Sequence, residues 1–234
     1  MDLYYLILVL PAVLFAMWAS LRVNTTFDRY RKQASACRMT GADAARAVLD
    51  AHGLQYIRIE HVSGKLTDHY DPGNQVIRLS DSTYSDTSVA AIGVAAHEAG
   101  HAIQYAENYA PIRLRSTIIP VTNIGSQLAM PLILIGILFA GVSSFFSTLA
   151  YIGVACYALV TVFQLVTLPV EFNASGRAVR VLENMRILSA DELKGTKKVL
   201  RAAAMTYVAA LAVSLMQLLR LILIVGGNND RRRR

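Results

Sequence analysis

Four long apolar runs restrict this chain to a membrane-protein fold. They cover residues 3–21, 117–139, 145–170 and 202–225. Each is close to the ~20 residues that an α-helix needs to cross a bilayer. Hydrophobic residues make up 54% of the 234 residues, above the roughly 45–50% typical of soluble domains. We therefore predict a mainly α-helical membrane protein with about four transmembrane helices, since helices satisfy their own backbone polar groups in lipid.

The basic residues predict how these helices are oriented. They concentrate in segments 22–38 and 177–201, whereas residues 117–170 contain none. The positive-inside rule places the two basic segments in the cytoplasm of a multi-pass protein of the cell membrane. Arg220 and the tail Arg231–Arg234 do not fit a fourth crossing well, because both would then lie at or beyond the outer face. A final helix that lies in the membrane plane or inserts only partly is the alternative.

The net charge of +7 favours membrane lipids as partners. The basic residues lie beside apolar runs, as expected for contact with anionic headgroups, and a nucleic-acid partner is not predicted. No disulfide is expected between Cys37 and Cys156, because one is in a polar segment and the other in an apolar run.

We predict a single membrane-integrated domain over residues 1–234, because no internal repeat or long linker divides the chain. Its predicted parts are a transmembrane segment at 1–22, a cytoplasmic part at 23–116, a transmembrane hairpin at 117–170, a cytoplasmic loop at 171–201, a transmembrane helix at 202–225 and a basic tail at 226–234.

Residues 23–116 are predicted to form a small α+β part. Thr40 is a suitable N-cap for a helix at 40–53. Alternation of apolar and polar residues predicts a strand at 55–62, and the Asp71-Pro72-Gly73-Asn74 turn predicts an antiparallel hairpin of segments 65–70 and 75–79. A further helix is expected from Ser88 to about residue 108, because Ala110-Pro111 would stop it.

The last of these helices contains the motif His97-Glu98-x-x-His101. Residues i and i+4 lie on one face of an α-helix, so both imidazoles can bind one metal ion. Glu98 is turned partly off that axis, where its carboxylate can take a proton from the attacking water. Two surface histidines on an amphipathic helix are the ordinary alternative. The apolar surroundings disfavour it, and we predict one Zn²⁺ per chain.

A hydrolytic zinc site usually needs a third protein ligand. The candidates are His61, Asp68, His69, Asp71, Glu107 and Glu171. Glu107 points away from His101 because it lies six residues further along the same helix. Glu171 is better placed, since a transmembrane hairpin returns the chain to the level at which it left. A favourable charge at the N-terminus of a helix after Pro169 would also explain Glu171, so its role remains open on these grounds.

The sequence also resembles a known family. The resemblance rests on three blocks in order: Leu66-Thr67-Asp68-His69-Tyr70-Asp71-Pro72, residues 90–104, and Leu168-Pro169-Val170-Glu171-Phe172-Asn173-Ala174-Ser175. Together they look like the YugP-like bacterial membrane zinc metallopeptidases of gluzincin type, and more distantly like HtpX and the prenyl-protein proteases. The resemblance implies a zincin-like cytoplasmic part with Glu171 as the third zinc ligand. Ser175 departs from the gluzincin pattern, which has Asp there to support a ligand histidine.

The function implied is that of a membrane-anchored zinc endopeptidase. It would cleave membrane or membrane-proximal proteins at the cytoplasmic face, with Glu98 as general base. Ser175 would support a ligand histidine, and the candidates to stabilise the oxyanion are His69, Tyr70, Arg177 and Arg180. Strand 75–79 resembles the gluzincin edge strand, so it is predicted to bind an extended substrate peptide.

Two other functions are compatible with the motif. One is intramembrane cleavage of the site-2 type, which the polar flanks of the motif helix and the lack of a later Asp-Gly motif disfavour. The other is a non-catalytic scaffold or partner-binding protein with a structural zinc, which Glu98 disfavours because a structural site needs no base. A membrane-protein partner or a homo-oligomer is left open.

Overall fold

A computed structural model describes the backbone of residues 2–233 and the side chains up to residue 227. Its elements are a π-helical turn at Tyr5–Val9, α1 at Leu10–Arg31, α2 at Gly41–Asp50, β1 at Arg58–Val62, β2 at His69–Asp71, β3 at Val76–Ser80, α3 at Val89–Ala106, α4 at Ala110–Leu138, α5 at Ser144–Asn184 and α6 at Ala190–Arg233. Arg234 and the side chains of the predicted basic tail from residue 228 onward lie outside the described part.

The mainly helical membrane fold is confirmed. Among the described residues, four helices are long and apolar enough to cross a membrane: Tyr5–Arg31, Ala110–Leu138, Ser144–Asn184 and Ala190–Gly227. A small three-stranded sheet accompanies them. The helices correspond to the four apolar runs of the sequence, because a segment in lipid must satisfy its backbone hydrogen bonds internally.

The residue contacts divide the chain into two compact units. We call the first the apolar unit, which comprises Met1–Trp18, Leu114–Leu168 and Tyr207–Arg234. The second is the motif unit, which comprises Ala19–Arg113 and Pro169–Thr206. His97, His101 and Glu171 all belong to the motif unit, so the candidate site can be described within that unit alone.

In the apolar unit, α4 and α5 form the predicted helical hairpin, and small residues allow close packing. A Cβ atom added to Gly136 would lie 2.5 Å from the backbone nitrogen of Ala150. A Cβ added to Gly153 would likewise lie 2.8 Å from the carbonyl oxygen of Ala129. Such contacts between small residues are typical of helix pairs in lipid, where association depends on van der Waals packing.

In the motif unit, α2 begins where the sequence predicts it. The Thr40 hydroxyl accepts a hydrogen bond from the backbone N–H of Asp43, and the Asp43 carboxylate accepts one from the N–H of Thr40. This reciprocal capping box satisfies two donors at the helix start. The buried face of α2, including Ala45, Val48 and Leu49, then packs in one core with α3.

The sheet differs from the prediction in its strand order. β2 and β3 form the predicted antiparallel hairpin, but β1 pairs in parallel with β3, so the order is β1-β3-β2 and the sheet is mixed. The loop after β1 crosses the end of β3, where Gly64 donates to the Asp81 carboxylate and accepts from the Asp81 N–H. The prediction that strand 75–79 is an edge strand is therefore wrong. β2 lies at the edge instead, on the side of β3 opposite β1.

Two junctions of the long helices determine where the site residues lie. α5 continues without interruption through Pro169, so Glu171 lies within the helix. The alternative that Glu171 is an N-terminal helix charge is therefore excluded. At the start of α6, Ser189 and Glu192 form the capping interactions expected from the sequence, and the helix runs on into the last apolar segment as expected.

Candidate metal centre

Two helices of the motif unit present the metal-binding side chains. α3 begins at its N-cap Ser88, whose hydroxyl accepts from the N–H of Ala91. One turn of α3 separates His97 from His101, and their ring centroids lie 4.7 Å apart. Glu171 projects from α5 and is 2% exposed. The structure therefore brings together the two motif histidines and the carboxylate that lies 70 residues downstream of His101.

The three side chains are spaced as ligands of one small cation. Glu171 Oε2 lies 3.4 Å from His97 Nε2 and 3.6 Å from His101 Nε2. Ligands about 2.0–2.1 Å from a tetrahedral zinc ion are separated by about 3.4 Å, which matches both distances. One ligand atom from each residue lies within 4.8 Å of the others. Within the described residues, no other group of three such side chains meets this criterion.

The approach of α3 to α5 depends on Gly100. A Cβ atom at this position would lie 2.8 Å from the carbonyl oxygen of Ala174 and 3.4 Å from its Cα. A side chain at residue 100 would therefore push against the backbone of α5, three residues beyond Glu171. Glycine at this position brings the ligand-bearing faces of the two helices within reach of one ion.

Ser175 lies beside the first histidine. Its Oγ is 3.1 Å from His97 Nδ1, so the hydroxyl contacts the ring nitrogen that does not face Glu171. This is the place where the gluzincin pattern has a carboxylate. A hydroxyl can donate or accept, so Ser175 orients the His97 ring without adding the negative charge that Asp would supply.

Gln104 supports the second histidine, and it was not among the predicted site residues. The Gln104 Oε1 atom lies 3.0 Å from His101 Nδ1. Its Nε2 donates to the carbonyl of Val170 and to Oδ1 of Asn173, both at 2.9 Å. A signal was present, because Gln104 lies three residues after His101 on the same apolar helix face and is fully buried. A buried amide requires partners.

Glu98 is anchored by the edge strand. The backbone N–H of Tyr70 in β2 donates to Glu98 Oε2 at 3.0 Å. Glu98 is only 9% exposed, so this bond supplies one of the partners that a buried carboxylate needs. The motif carboxylate is thus oriented by backbone rather than by a mobile side chain.

Among the ionisable groups around the site, His101 and Tyr70 have raised pKa values. Burial by itself would lower the pKa of His101, but hydrogen bonding to Glu171 and the charges of Glu98 and Glu171 outweigh it and raise the pKa. Burial, together with neighbouring tyrosines and Asp71, raises the pKa of Tyr70 to about 12. The Tyr70 phenol therefore stays protonated at neutral pH and retains a proton to donate.

The remaining candidate ligands have partners elsewhere. His61 pairs with Asp81, Asp68 accepts from Ser80, His69 contacts the carbonyl of Thr67, Asp71 pairs with Arg78, and Glu107 pairs with Arg177. None of them joins the cluster of His97, His101 and Glu171.

The two arginines considered as oxyanion donors have different surroundings. Arg177 is half-buried, and it donates to Asn173 and pairs with Glu107. Arg180 is exposed, and its Nε donates to the carbonyl of Gly176 one turn earlier. None of these contacts involves Glu98, His97, His101 or Glu171.

Comparison with known proteins bears on the chemistry of this cluster. The family described as "putative neutral zinc metallopeptidase" matches residues 5–226. The chain belongs to this family. One relative, the "putative membrane protease YugP" of Bacillus subtilis (strain 168), is 42% identical over 226 residues, which are 97% of this chain and 98% of the relative. The resemblance seen in the sequence is thus confirmed. No solved structure matches the chain.

Membership of the neutral zinc metallopeptidase family indicates zinc as the metal, and the donor set agrees. Two imidazoles and one carboxylate are a ligand set that catalytic Zn²⁺ sites use, and three protein ligands leave one coordination position open. The two histidine Nδ1 atoms contact Ser175 and Gln104, so both Nε2 atoms are directed toward Glu171. The residues present therefore fit a zinc ion of the catalytic rather than the closed structural type.

Proposed function

We propose that this chain is a membrane-anchored, zinc-dependent endopeptidase that cleaves membrane or membrane-proximal proteins at the cytoplasmic face. The observation that supports it most directly is the arrangement of His97, His101 and Glu171 with tetrahedral spacing beside an anchored Glu98. A structural zinc site would need no adjacent carboxylate and would usually be closed by a fourth protein ligand.

Zinc, when bound, supplies a Lewis acid that lowers the pKa of water toward about 7 and polarises the scissile carbonyl. Glu98 accepts the proton of the attacking water and transfers it to the leaving amine. The Tyr70 N–H holds Glu98 Oε2, which leaves Oε1 to exchange the proton. His97, His101 and Glu171 would hold the ion, and Ser175 and Gln104 hold the two imidazole rings in orientation.

The edge strand β2 offers a place for the substrate backbone. The Tyr70 N–H points to Glu98 and hence away from β3. In an antiparallel pair the N–H and C=O of one residue point to the same side, so the Tyr70 carbonyl also faces away from β3. An extended peptide that adds beside β2 can donate a backbone hydrogen bond to this carbonyl. Tyr70 would thus orient the general base through its N–H and fix the register of the bound substrate peptide through its carbonyl.

The cytoplasmic location is supported by charge and by the candidate spans. The four apolar helices identify a membrane protein, and the basic segments at 22–38 and 177–201 favour the cytoplasmic side for the residues around the site. Substrates would accordingly be proteins whose cleavable segments lie in or near the membrane surface on that side.

The proposal is tested by separating zinc binding from catalysis in protein purified in detergent. Wild-type protein is expected to contain about one zinc ion per chain and to cleave a quenched-fluorescence peptide library. Glu98→Gln should retain the zinc and lose the cleavage, because the amide cannot accept the proton. Glu171→Ala should lose both. The control is Glu60→Gln, which changes a carboxylate on β1 that pairs with Arg58 and should leave both unchanged.

Two outcomes would contradict the proposal. If wild-type protein folds normally but contains no zinc, the proposed metal site is ruled out. Cleavage by Glu98→Gln at the wild-type rate would remove Glu98 from the mechanism. If wild-type protein retains zinc and Glu98→Gln loses cleavage, this variant can be used to trap natural substrates from the membrane fraction. It should still contain the metal and the edge strand β2 that binds the substrate.

A further inference from the structure

We infer that a hydrogen-bonded relay of Gln104, Asn173, Arg177 and Glu107 positions His101 for the metal and fixes its tautomer. This inference rests on the proposed zinc site and adds Asn173, Arg177 and Glu107 to Gln104 as positioning residues. The relay joins α3 to α5 within the motif unit, and its first member contacts His101 directly. Each step follows from which atoms can donate and which can only accept.

Gln104 can contact His101 in only one orientation. Its amide nitrogen has two acceptors within 2.9 Å, the carbonyl of Val170 and Oδ1 of Asn173. The amide nitrogen must therefore lie on that side, and Oε1 faces His101 Nδ1 at 3.0 Å. Oε1 can only accept. His101 must then have its proton on Nδ1, which leaves the Nε2 lone pair directed to the metal.

Asn173 is oriented in turn by Arg177. Oδ1 of Asn173 accepts from Gln104 Nε2 and also from Arg177 Nε at 2.7 Å. A guanidinium is a permanent donor and never an acceptor. Arg177 therefore requires an acceptor at this position, which excludes the flipped Asn173 amide and so excludes the flipped Gln104 amide as well.

Glu107 completes the relay at the protein surface. Its Oε2 lies 2.6 Å from Arg177 Nη1, and the guanidinium also lies over the Tyr109 ring at 5.8 Å. The Arg177 side chain is 17% exposed, so the paired charge is partly removed from water. Arg177 uses Nε to bind Asn173 and Nη1 to bind Glu107, and these two contacts together restrain the rotation of its guanidinium.

The relay also ties the two kinds of ligand to each other. Gln104 binds the carbonyl of Val170, the residue before Glu171, while it holds His101. One side chain of α3 thereby sets the position of a histidine and of the backbone next to the carboxylate ligand. His97 has no comparable arrangement, because the Ser175 hydroxyl can donate or accept and does not dictate a tautomer.

The test compares zinc affinity in full-length protein in detergent, measured by competition with a chelator. Gln104→Met keeps the side-chain length and removes all three hydrogen bonds. We expect zinc to bind about 10–100-fold more weakly, as when other supports of ligand histidines are removed. The cobalt-substituted variant should show an altered visible spectrum. Asn173→Asp keeps an acceptor for both donors and should retain affinity within about threefold, whereas Asn173→Leu should resemble Gln104→Met.

Thr196→Val is the matched control. The Thr196 hydroxyl is fully buried and donates to the carbonyl of Val89 at the start of α3. Its loss should lower the melting temperature of the metal-free protein about as much as Gln104→Met does, with no change in zinc affinity. Equal affinity in wild type and Gln104→Met, or an equal loss in Thr196→Val, would overturn the relay. Zinc binding by wild type in the same assay separates this failure from failure of the proposed function.

Discussion

Replacing Gly100 with alanine tests whether the spacing of two helices controls metal affinity. The added Cβ would lie 2.8 Å from the carbonyl oxygen of Ala174, and ordinary contact begins at 3.4 Å. The difference is 3.4 − 2.8 = 0.6 Å, which α3 or α5 must provide by moving apart. His101 Nε2 and Glu171 Oε2 are already 3.6 Å apart, and zinc–ligand distances tolerate only about 0.2 Å of change.

The expected effect on folding is modest, and it is separate from the effect on zinc binding. Overpacking costs about 1–3 kcal/mol, and alanine in place of glycine in a helix returns about 1 kcal/mol. The free energy of unfolding of the metal-free protein should therefore fall by only about 0–2 kcal/mol. Zinc affinity should fall by at least about tenfold, because a misplaced ligand weakens the site directly.

Gly93→Ala is the control for the Gly100 experiment, with chelator competition and thermal unfolding as the two assays. Gly93 lies on the same helix two turns earlier, and its added Cβ would meet the methyl group of Thr196 at 2.6 Å. It should therefore crowd α3 and gain the same helix propensity without touching the segment that holds Glu171. If Gly100→Ala binds zinc as tightly as Gly93→Ala, the argument that helix spacing sets the ligand geometry is refuted.

Two further predictions concern the fold. The hydrogen bonds from Thr40 hold the pKa of Asp43 below its usual value of 3.8, so the capping box should stabilise the protein above about pH 4 and lose that contribution as the pH falls through the lowered pKa. Asp43→Asn should reduce the fall in melting temperature that wild-type protein shows on acidification. The reduction should correspond to about 0.5 kcal/mol, because the site is exposed. A melting temperature with the same pH dependence in both proteins would contradict the capping role of Asp43. In the apolar unit, Arg220 donates to Asp2, so Arg220→Met should lower the melting temperature in detergent more than Arg220→Met combined with Asp2→Asn. Additive effects in this double-mutant cycle would show that the two charges do not interact.

The parts of the fold that were predictable are those determined by local sequence. Runs of about 20 apolar residues specify membrane helices because a helix of that length spans the bilayer and satisfies its backbone polar groups internally. Thr40 and Ser88 specify helix starts because their hydroxyls satisfy backbone donors three residues away. Each of these signals acts within one or two turns, so the sequence displays it directly.

The errors arose where distant segments decide the outcome. The position of β2 depends on a loop that crosses the end of β3, and the residues of β2 carry no local signal that indicates this crossing. Pro169 normally ends or kinks a helix in water, but α5 continues through it to Glu171. Proline is tolerated in membrane helices because neighbouring groups satisfy the freed carbonyl.

The candidate site divides in the same way. The positions of His97 and His101 follow from helical periodicity alone. Assigning Glu171 as the third ligand required the family resemblance, because its distance from the two histidines depends on the packing of α3 against α5. The burial of Gln104 on an apolar helix predicted that it must have partners, but the partners themselves, Val170 and Asn173, are 66 and 69 residues away and could only be identified in the folded chain.

The direction of the last helix follows from its contacts inside the apolar unit. The Thr161 hydroxyl of α5 donates to the carbonyl of Ser214 in α6, and Val154 of α5 packs in one cluster with Leu221 and Val225 of α6. The two helices are therefore antiparallel. Their contacts extend from Thr161 to Val154, which are 7 residues apart in α5, or about 10 Å along the helix axis at 1.5 Å per residue. α5 is a candidate membrane span by length and composition, so an antiparallel helix packed against it is expected to run along the same axis across the bilayer, which favours the fourth crossing over an in-plane helix. Asp2 then offsets the charge of Arg220, one of the five basic residues that made this crossing unfavourable in the sequence.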